Sequence, residues 1–435
     1  MSAQKPREIA ARVLLRRESG KEYVETLLEE ELNVSTMSPV DRGLCTELVY
    51  GTVRWQRTLD WLISRKTKER PQKAGLMVLL RLGLYQLFWL GRVPDHAAVF
   101  ETVEVGRRMG FNTQAGFLNA ILRGYTREKS ETDKLLEELK IKDPALAFSQ
   151  PSWLVQRWKE RYGPQKTREL LEWNNIPANT FARVNTLKTD AEKLAQQWQE
   201  EGVEFTAKKF DWIPDGLIYQ LDVHPPLGRL KSFQQGLFYV QDPSTLLAVQ
   251  ELDPRPDETI LDLCAAPGGK ATFMAQLMQN RGKVAAEDIE PQRLELIRDN
   301  YTRLGITCIE TSITPQEIEA APTLRYDRIL IDAPCSNTGV LKRRVDLRWR
   351  IRPEELERLS KTQLQLLRLA APRLKPGGTL IYSTCSLEPE ENKDLVHQFI
   401  AEQPQFDLQN ERELLPFVEH VDGAYVAKLK LREPV

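Results

Sequence analysis

Two cysteines and a carboxylate carry the most specific chemistry in this 435-residue sequence. The stretch IDAPCSNTG (331–339) places Asp332, Pro334 and Cys335 just past an apolar run. YSTCS (382–386) places Cys385 at the end of another. An amine or hydroxyl has a lone pair to offer an alkyl donor, whereas carbon 5 of a pyrimidine has none. A thiolate that adds to carbon 6 turns carbon 5 into an enamine-like nucleophile; after alkylation a base removes the carbon 5 proton and the thiol leaves. An acid that protonates or hydrogen-bonds N3 favours the addition, and Asp332 is placed to do so. Either cysteine alone reads more simply as a buried core residue. The pair at two strand ends, one in Asp-Ala-Pro-Cys, points to cytosine C5 chemistry if a methyl donor lies alongside. Cys45, Cys308 and the side chain of Cys264 read as core.

A donor site is suggested by TILDLCAAPGGK (259–270). An apolar strand (Ile260, Leu261, Leu263) breaks into Ala265-Ala266-Pro267-Gly268-Gly269, and helix-compatible sequence starts at Lys270. Glycine lets a ligand approach the backbone, and a helix start offers free N–H groups. It is not a P-loop, because Cys264 stands where the first glycine belongs and Ala271 follows the lysine; a G-x-G-x-x-G pattern is absent too. A second strand, Lys283-Val284-Ala285-Ala286, ends at Glu287 and Asp288. Asp288 stands 19 residues beyond Gly269, near the spacing at which an acid meets ribose hydroxyls. A glycine turn plus a ribose acid, without a phosphate cradle, suits S-adenosylmethionine. An ordinary strand–helix turn with a surface acid is the plainer alternative.

These stretches must be positioned by a larger frame. From about residue 236 onward, strands are expected at 259–264, 283–288, 306–310, 326–332 and 378–384, alternating with helices near 270–280, 291–304, 355–374 and 389–402. That alternation is a doubly wound, Rossmann-like α/β domain, whose ligands sit at the carboxyl ends of the strands. AYVAKLKL (424–431) alternates like an edge strand. Residues 1–140 read as an all-α bundle, with apolar positions at helical spacing (Ile9, Val13, Leu14; Leu76, Leu79, Leu80, Leu84). Residues 141–235 alternate helix and strand, as in a small α/β domain.

Bulk properties bound the function. Hydrophobic residues at 41%, charged residues at 28% and a net charge of −1 describe a globular chain without an overall basic surface, so nucleic-acid contact must be local. Arg161, Arg183, Lys188, Lys208, Lys209, Arg229 and Lys231 are candidates for phosphate contact, though solvation is the commoner reason for such charges. The loop LKRRVDLRWRIR (341–352) interleaves six basic residues with Trp349 and is expected to touch RNA. Five scattered cysteines argue against a disulfide framework. Four histidines and no C-x-x-C pair argue against a metal. With no apolar span and a polar N-terminal stretch, a cytoplasmic monomer off the membrane is expected.

The motifs CAAPGGK (264–270), DAPCS (332–336) and TCS (384–386) together resemble the RNA cytosine-5 methyltransferases. DRGLCTELVYGTVRW (41–55) and GFLNAILRGYTRE (116–128) resemble a NusB-like RNA-binding domain. The whole arrangement is similar to the RsmB (Fmu/Sun) branch of small-subunit rRNA methyltransferases. The resemblance implies a NusB-like bundle (1–140), an RRM-like α/β domain (141–235) and a methyltransferase domain (236–435). It also implies 16S rRNA as partner, with cytosine 967 as target and DNA excluded, since DNA enzymes carry a single Pro-Cys nucleophile. On the same basis Cys385 is the nucleophile, Cys335 assists product release and Asp332 binds the cytosine and touches the cofactor. Cys264, Ala265, Ala266, Pro267, Gly268, Gly269, Lys270 and Asp288 would hold S-adenosylmethionine. Two departures stand out. The Asp that relatives carry after the third strand is replaced within IETSITP (309–315) by Ser312, Ile313 and Thr314. Arg344-Val345 replaces a common His-Pro. Rival readings are a methyltransferase acting on tRNA or another RNA, an assembly factor with a vestigial pocket, and a Cys335–Cys385 redox switch.

Overall fold

The computed structural model describes residues 5–314 and 325–433, so Pro315 of the third-strand stretch lies outside the described residues. The chain forms two units: residues 1–176 with 341–350, and residues 177–340 with 351–435.

The first unit is helical. The segment Ala74–Trp89 is apolar on every face and buries Leu76, Leu79, Leu80, Leu82, Leu84 and Leu87 at its centre, as a helix surrounded by others should. Its two polar residues are satisfied rather than exposed. Arg81 donates to both Asp60 oxygens at 2.6 and 3.0 Å and to Glu18 at 2.7 Å. Gln86 donates to Leu82 O and Thr102 and accepts from Arg7. No described helix is long and apolar enough to cross a membrane. Pro39 opens the helix Pro39–Arg54 behind the capping Ser38.

The segment 341–350 belongs to this unit, which corrects the RNA-contact expectation for its loop. Val345 joins the helical core and Trp349 packs on it, donating to Val53 O at 2.8 Å. Arg348 is fully buried and donates to the carbonyls of Leu341, Asn174, Arg54 and Ser149 and to Asn175 Oδ1. Asp346, also fully buried, accepts from Arg17, Arg350 and Val24 N. The basic residues interleaved with Trp349 suggested RNA contact, but Asp346, Arg348 and Arg350 are engaged within the protein. Arg344 alone among its described basic residues up to 350 is exposed.

The second unit holds two sheets. In the smaller, β1 (Thr180–Val184), β2 (Glu204–Ala207), β3 (Ile218–Val223) and β4 (Phe238–Val240) are antiparallel in the order β2-β3-β1-β4. Helix Ala191–Glu200 buries Leu194 and Trp198 against it. The larger sheet comprises β5 (Thr259–Leu263), β6 (Lys283–Asp288), β7 (Ile309–Ile313), β8 (Tyr326–Asp332), β9 (Leu374–Thr384), β10 (Phe406–Leu414) and β11 (Ala424–Leu431). Its order is β10-β11-β9-β8-β5-β6-β7, parallel from β9 to β7 and antiparallel at β11 and β10. One continuous apolar core joins the small sheet to a face of the large one.

Three expectations need correction. β11 is interior, because β10 pairs along its outer side; the charge-rich FDLQNEREL suits the exposed edge. β7 starts later than expected, since Gly305 in left-handed conformation ends the preceding helix and Ile306 to Cys308 form the connection. Among the candidate phosphate contacts, Arg183 is buried and Lys188 donates to Gln235 O and Arg303 O, both at 2.8 Å.

Candidate active site

The strand order reverses beside β5, and the turn that leaves β5 lies at that switch point. Its backbone needs unusual residues. Cys264 has φ of 68° and Gly268 of 96°, the second a value that glycine adopts without strain. The turn is anchored on the end of β6: Ala265 N donates to Glu287 O at 2.8 Å and Ala266 N to Asp288 Oδ2 at 3.2 Å. Arg183, reaching from β1, donates to Gly269 O at 2.9 Å and to Thr272 at 3.1 Å, and pairs with Gln241. Its guanidinium lies over Phe273 and Tyr239. Burial pushes Arg183 down to about 9.

Asp288 and Lys270 mark the two ends of the turn. Asp288 is 1% exposed and also accepts from Arg293 at 3.2 Å. Thr314, at the carboxyl end of β7, donates its N–H to Asp288 O at 3.1 Å. Its buried hydroxyl has no hydrogen-bond partner among the described residues. At the other end Lys270 Nζ lies 2.6 Å from Asp332 Oδ2, and Ser383 donates to Asp332 Oδ1 at 2.9 Å. Burial works against the Lys270 ammonium, but Asp332, its hydrogen bond and Asp262 outweigh it and raise the pKa. This set fits S-adenosylmethionine: acceptors at one end suit a ribose diol, a cation and carboxylates at the other suit an amino acid, and an orphaned hydroxyl awaits a partner.

The two candidate cysteines meet. Asp332 of β8 pairs in register with Ser383 of β9, so the segments leaving these parallel strands run side by side. Cys335 Sγ and Cys385 Sγ are 3.3 Å apart, and Cys385 Sγ is 3.1 Å from Asn337 Oδ1. Cys335 is buried and Cys385 only partly so. The contact with Cys385, then burial, raises the Cys335 pKa, so that thiol holds its proton. Cys45 and Cys308 are buried elsewhere, and burial pushes Cys45 up to about 12.

A profile of the 16S rRNA methyltransferase RsmB/F family matches residues 249–430, one of the NusB family matches 4–127, and an RsmF/B-like ferredoxin-like domain matches 150–223. The chain is 37% identical to the probable ribosomal RNA small subunit methyltransferase B of Bacillus subtilis, over 92% of this chain and 89% of that one. The chain belongs to that methyltransferase B family. The Vibrio vulnificus member is 34% identical over 91% of this chain and 92% of its own. The crystal structure of PH0851 superposes with a TM-score of 0.79 at 26% identity, covering 98% of this chain and 99% of that one. A methyltransferase homolog protein from Pyrococcus horikoshii gives 0.59 at 29% identity, covering 66% and 98%.

Sequence reasoning missed several residues around these motifs. Arg183, a candidate phosphate contact by sequence, is buried and serves the glycine turn instead. Asn337, with φ of 56°, carries no signal beyond its place in IDAPCSNTG. Ser336 and Ser386 each follow a candidate cysteine, a repeat visible in the sequence; Glu391 and Gln363, which join them, had no local signal.

Proposed function

We propose that the chain methylates carbon 5 of a cytosine in 16S rRNA, at cytosine 967 by family resemblance. The observation that carries this reading is the pair of thiols 3.3 Å apart beside a lysine-held aspartate. Oxygen or nitrogen methylation has no use for two cysteines, whereas carbon 5 needs one thiol to activate the ring and a second group to release it. The names of the relatives support rRNA as the substrate.

S-adenosylmethionine supplies an electrophilic methyl group when bound, held by Cys264 to Lys270 on one side and Asp288 on the other. The more accessible Cys385 attacks carbon 6 as a thiolate. The S–C6 bond forms, the C5–C6 π bond opens, and its electrons make carbon 5 nucleophilic. Asp332, steadied by Lys270 and Ser383, meets the N3–N4 edge of the base as an acid and gives N3 a proton, which takes up the negative charge that addition sends into the ring. Once carbon 5 carries the methyl group, a base takes its proton and Cys335 assists release of the product. Those electrons restore the C5–C6 bond and expel Cys385. Attack on the ring face requires the target base to be unstacked.

The test is transfer of labelled methyl to unmethylated 16S rRNA by wild type, Cys385→Ala and Cys335→Ala. Wild type should form 5-methylcytosine, Cys385→Ala should form none, and Cys335→Ala should accumulate a covalent RNA adduct. Transfer to tRNA instead would move the substrate and keep the chemistry. RNA binding with no transfer to any RNA would replace the enzyme by an assembly factor.

A further inference from the structure

Behind the two thiols lies a carboxylate with no place in the mechanism above. Glu391 is fully buried in the turn Pro389–Glu391. Its Oε1 accepts from Ser336 N at 2.8 Å and from Gln363 Nε2 at 3.0 Å. Its Oε2 accepts from the hydroxyls of Ser336 and Ser386, which are themselves 2.9 Å apart. Ser336 follows Cys335 and Ser386 follows Cys385. One carboxylate therefore holds the residue next to each thiol.

The surrounding contacts serve the same end. Gln363 also donates to Pro334 O at 3.0 Å, tying helix Pro353–Ala370 to the first cysteine loop. Gly339 N donates to Cys385 O at 3.0 Å and Leu387 N to Thr338 Oγ1 at 2.9 Å, joining the two loops directly. A Cβ at Gly339 would lie 2.7 Å from Cys385 O and 2.8 Å from Gly423 Cα, so only glycine permits that approach. A carboxylate offers about four acceptor positions, and four donors from two loops and a helix fill those of Glu391. None of them is a cation, so this is not an ion pair whose role is charge balance. Burying an unpaired carboxylate is unfavourable, and burial raises its pKa. What the group gives in return is geometry: a neutral amide could not accept from all four donors.

We propose that Glu391 is a positioning residue that sets the spacing of the Cys335 and Cys385 thiols through the serine beside each. The importance of that spacing to catalysis rests on the function proposed above; the spacing itself does not. A misplacement of about 1 Å at a reacting centre costs on the order of 10²-fold in rate, so Glu391→Ala should lower kcat by that order with KM for RNA and for S-adenosylmethionine unchanged.

The deciding experiment reads geometry directly. Dibromobimane fluoresces strongly only when it bridges two nearby thiols. Wild type should bridge, and Cys335→Ala should not. Glu391→Ala should bridge several-fold more slowly while single-site alkylation of Cys385 continues. Glu391→Gln, which keeps the shape and part of the bonding, should fall between them. Ser386→Ala and Ser336→Ala each remove one contact and should show smaller losses, which carries the test if Glu391→Ala does not fold. Bridging at the wild-type rate in folded Glu391→Ala and in both serine variants would overturn the proposal, even if activity fell. Slowed bridging in a protein that methylates no RNA would uphold the clamp and overturn the proposed function instead.

Discussion

Replacing Arg348 with methionine separates two accounts of the loop that follows the cysteine motif. If the loop contacts RNA, the change should weaken RNA binding and leave folding alone. The structure makes the opposite case. The Arg348 guanidinium reaches five acceptors: Asn175 Oδ1 at 2.9 Å, Asn174 O at 3.0 Å, Leu341 O at 3.1 Å, Arg54 O at 3.3 Å and Ser149 O at 3.4 Å. None is a carboxylate, and burial together with nearby Arg54 pulls the pKa well down. Methionine would leave at least the three closer acceptors unmatched, at roughly 1–3 kcal/mol for each buried orphan. Relief from burying a cation offsets part of this, since desolvating an ion costs several kcal/mol.

The net expectation is a loss of about 3 kcal/mol from the 1–176 unit, and with a urea slope of about 2 kcal/mol/M that is a midpoint lower by about 1.5 M. Seven of the nine tryptophans (55, 61, 89, 153, 158, 173 and 349) belong to this unit, so tryptophan fluorescence follows its unfolding. Arg348→Lys should recover little, because an ammonium cannot fork across acceptors spread in a plane. An unchanged urea midpoint together with weakened RNA binding would refute the reasoning and restore the loop to the RNA surface.

Arg183→Met removes the hydrogen bond to Gly269 O that steadies the glycine turn; a loss of about 1.4 kcal/mol, tenfold in Kd for S-adenosylhomocysteine, is expected by calorimetry, and an unchanged Kd would disprove the link. Lys270→Met leaves Asp332 without its cation, so methyl transfer should drop at least about 10²-fold while RNA affinity holds; full activity would remove Lys270 from the site. Asp262→Asn tests a buried acid whose pKa is raised well above normal by burial and then by Asp332. A raised native pKa means the fold binds that proton more tightly than the unfolded chain does, so the stability it contributes is full at acid pH and is lost as pH climbs through the native value. The asparagine variant lacks this dependence and should gain on wild type between mildly acidic and mildly alkaline buffer in melting experiments; a constant difference would contradict the assignment.

The parts of the site legible in the sequence are those whose demands are local. Gly268 sits where φ is positive, and Asp288, Asp332 and Cys385 end or follow strands whose apolar runs are unmistakable. Position at the end of a parallel strand is enough to bring such residues together, because the fold places all carboxyl ends on one edge. Burial of a charged residue has no such local mark. Arg183 and Arg348 look in the sequence like any exposed arginine, and each is buried by partners far along the chain: Gly269 and Thr272 for one, Asn174 and Asn175 for the other. β10 was missed for a related reason, since an edge strand carries charge where a central one carries valine and isoleucine.

Glu391 shows why the boundary falls there. In the sequence it is one of three acids in Leu387-Glu388-Pro389-Glu390-Glu391, and nothing separates it from a solvated turn. Its use depends on two loops 50 residues apart presenting a serine at matching positions, and on a helix between them supplying Gln363. The matching was readable, because Cys-Ser occurs at both 335–336 and 385–386. Both dipeptides lie in the segments that leave neighbouring strands, and buried hydroxyls need hydrogen-bond partners. The repeated serine was therefore visible, but the group that accepts from both was not. Only the fold could say which of the three acids it was.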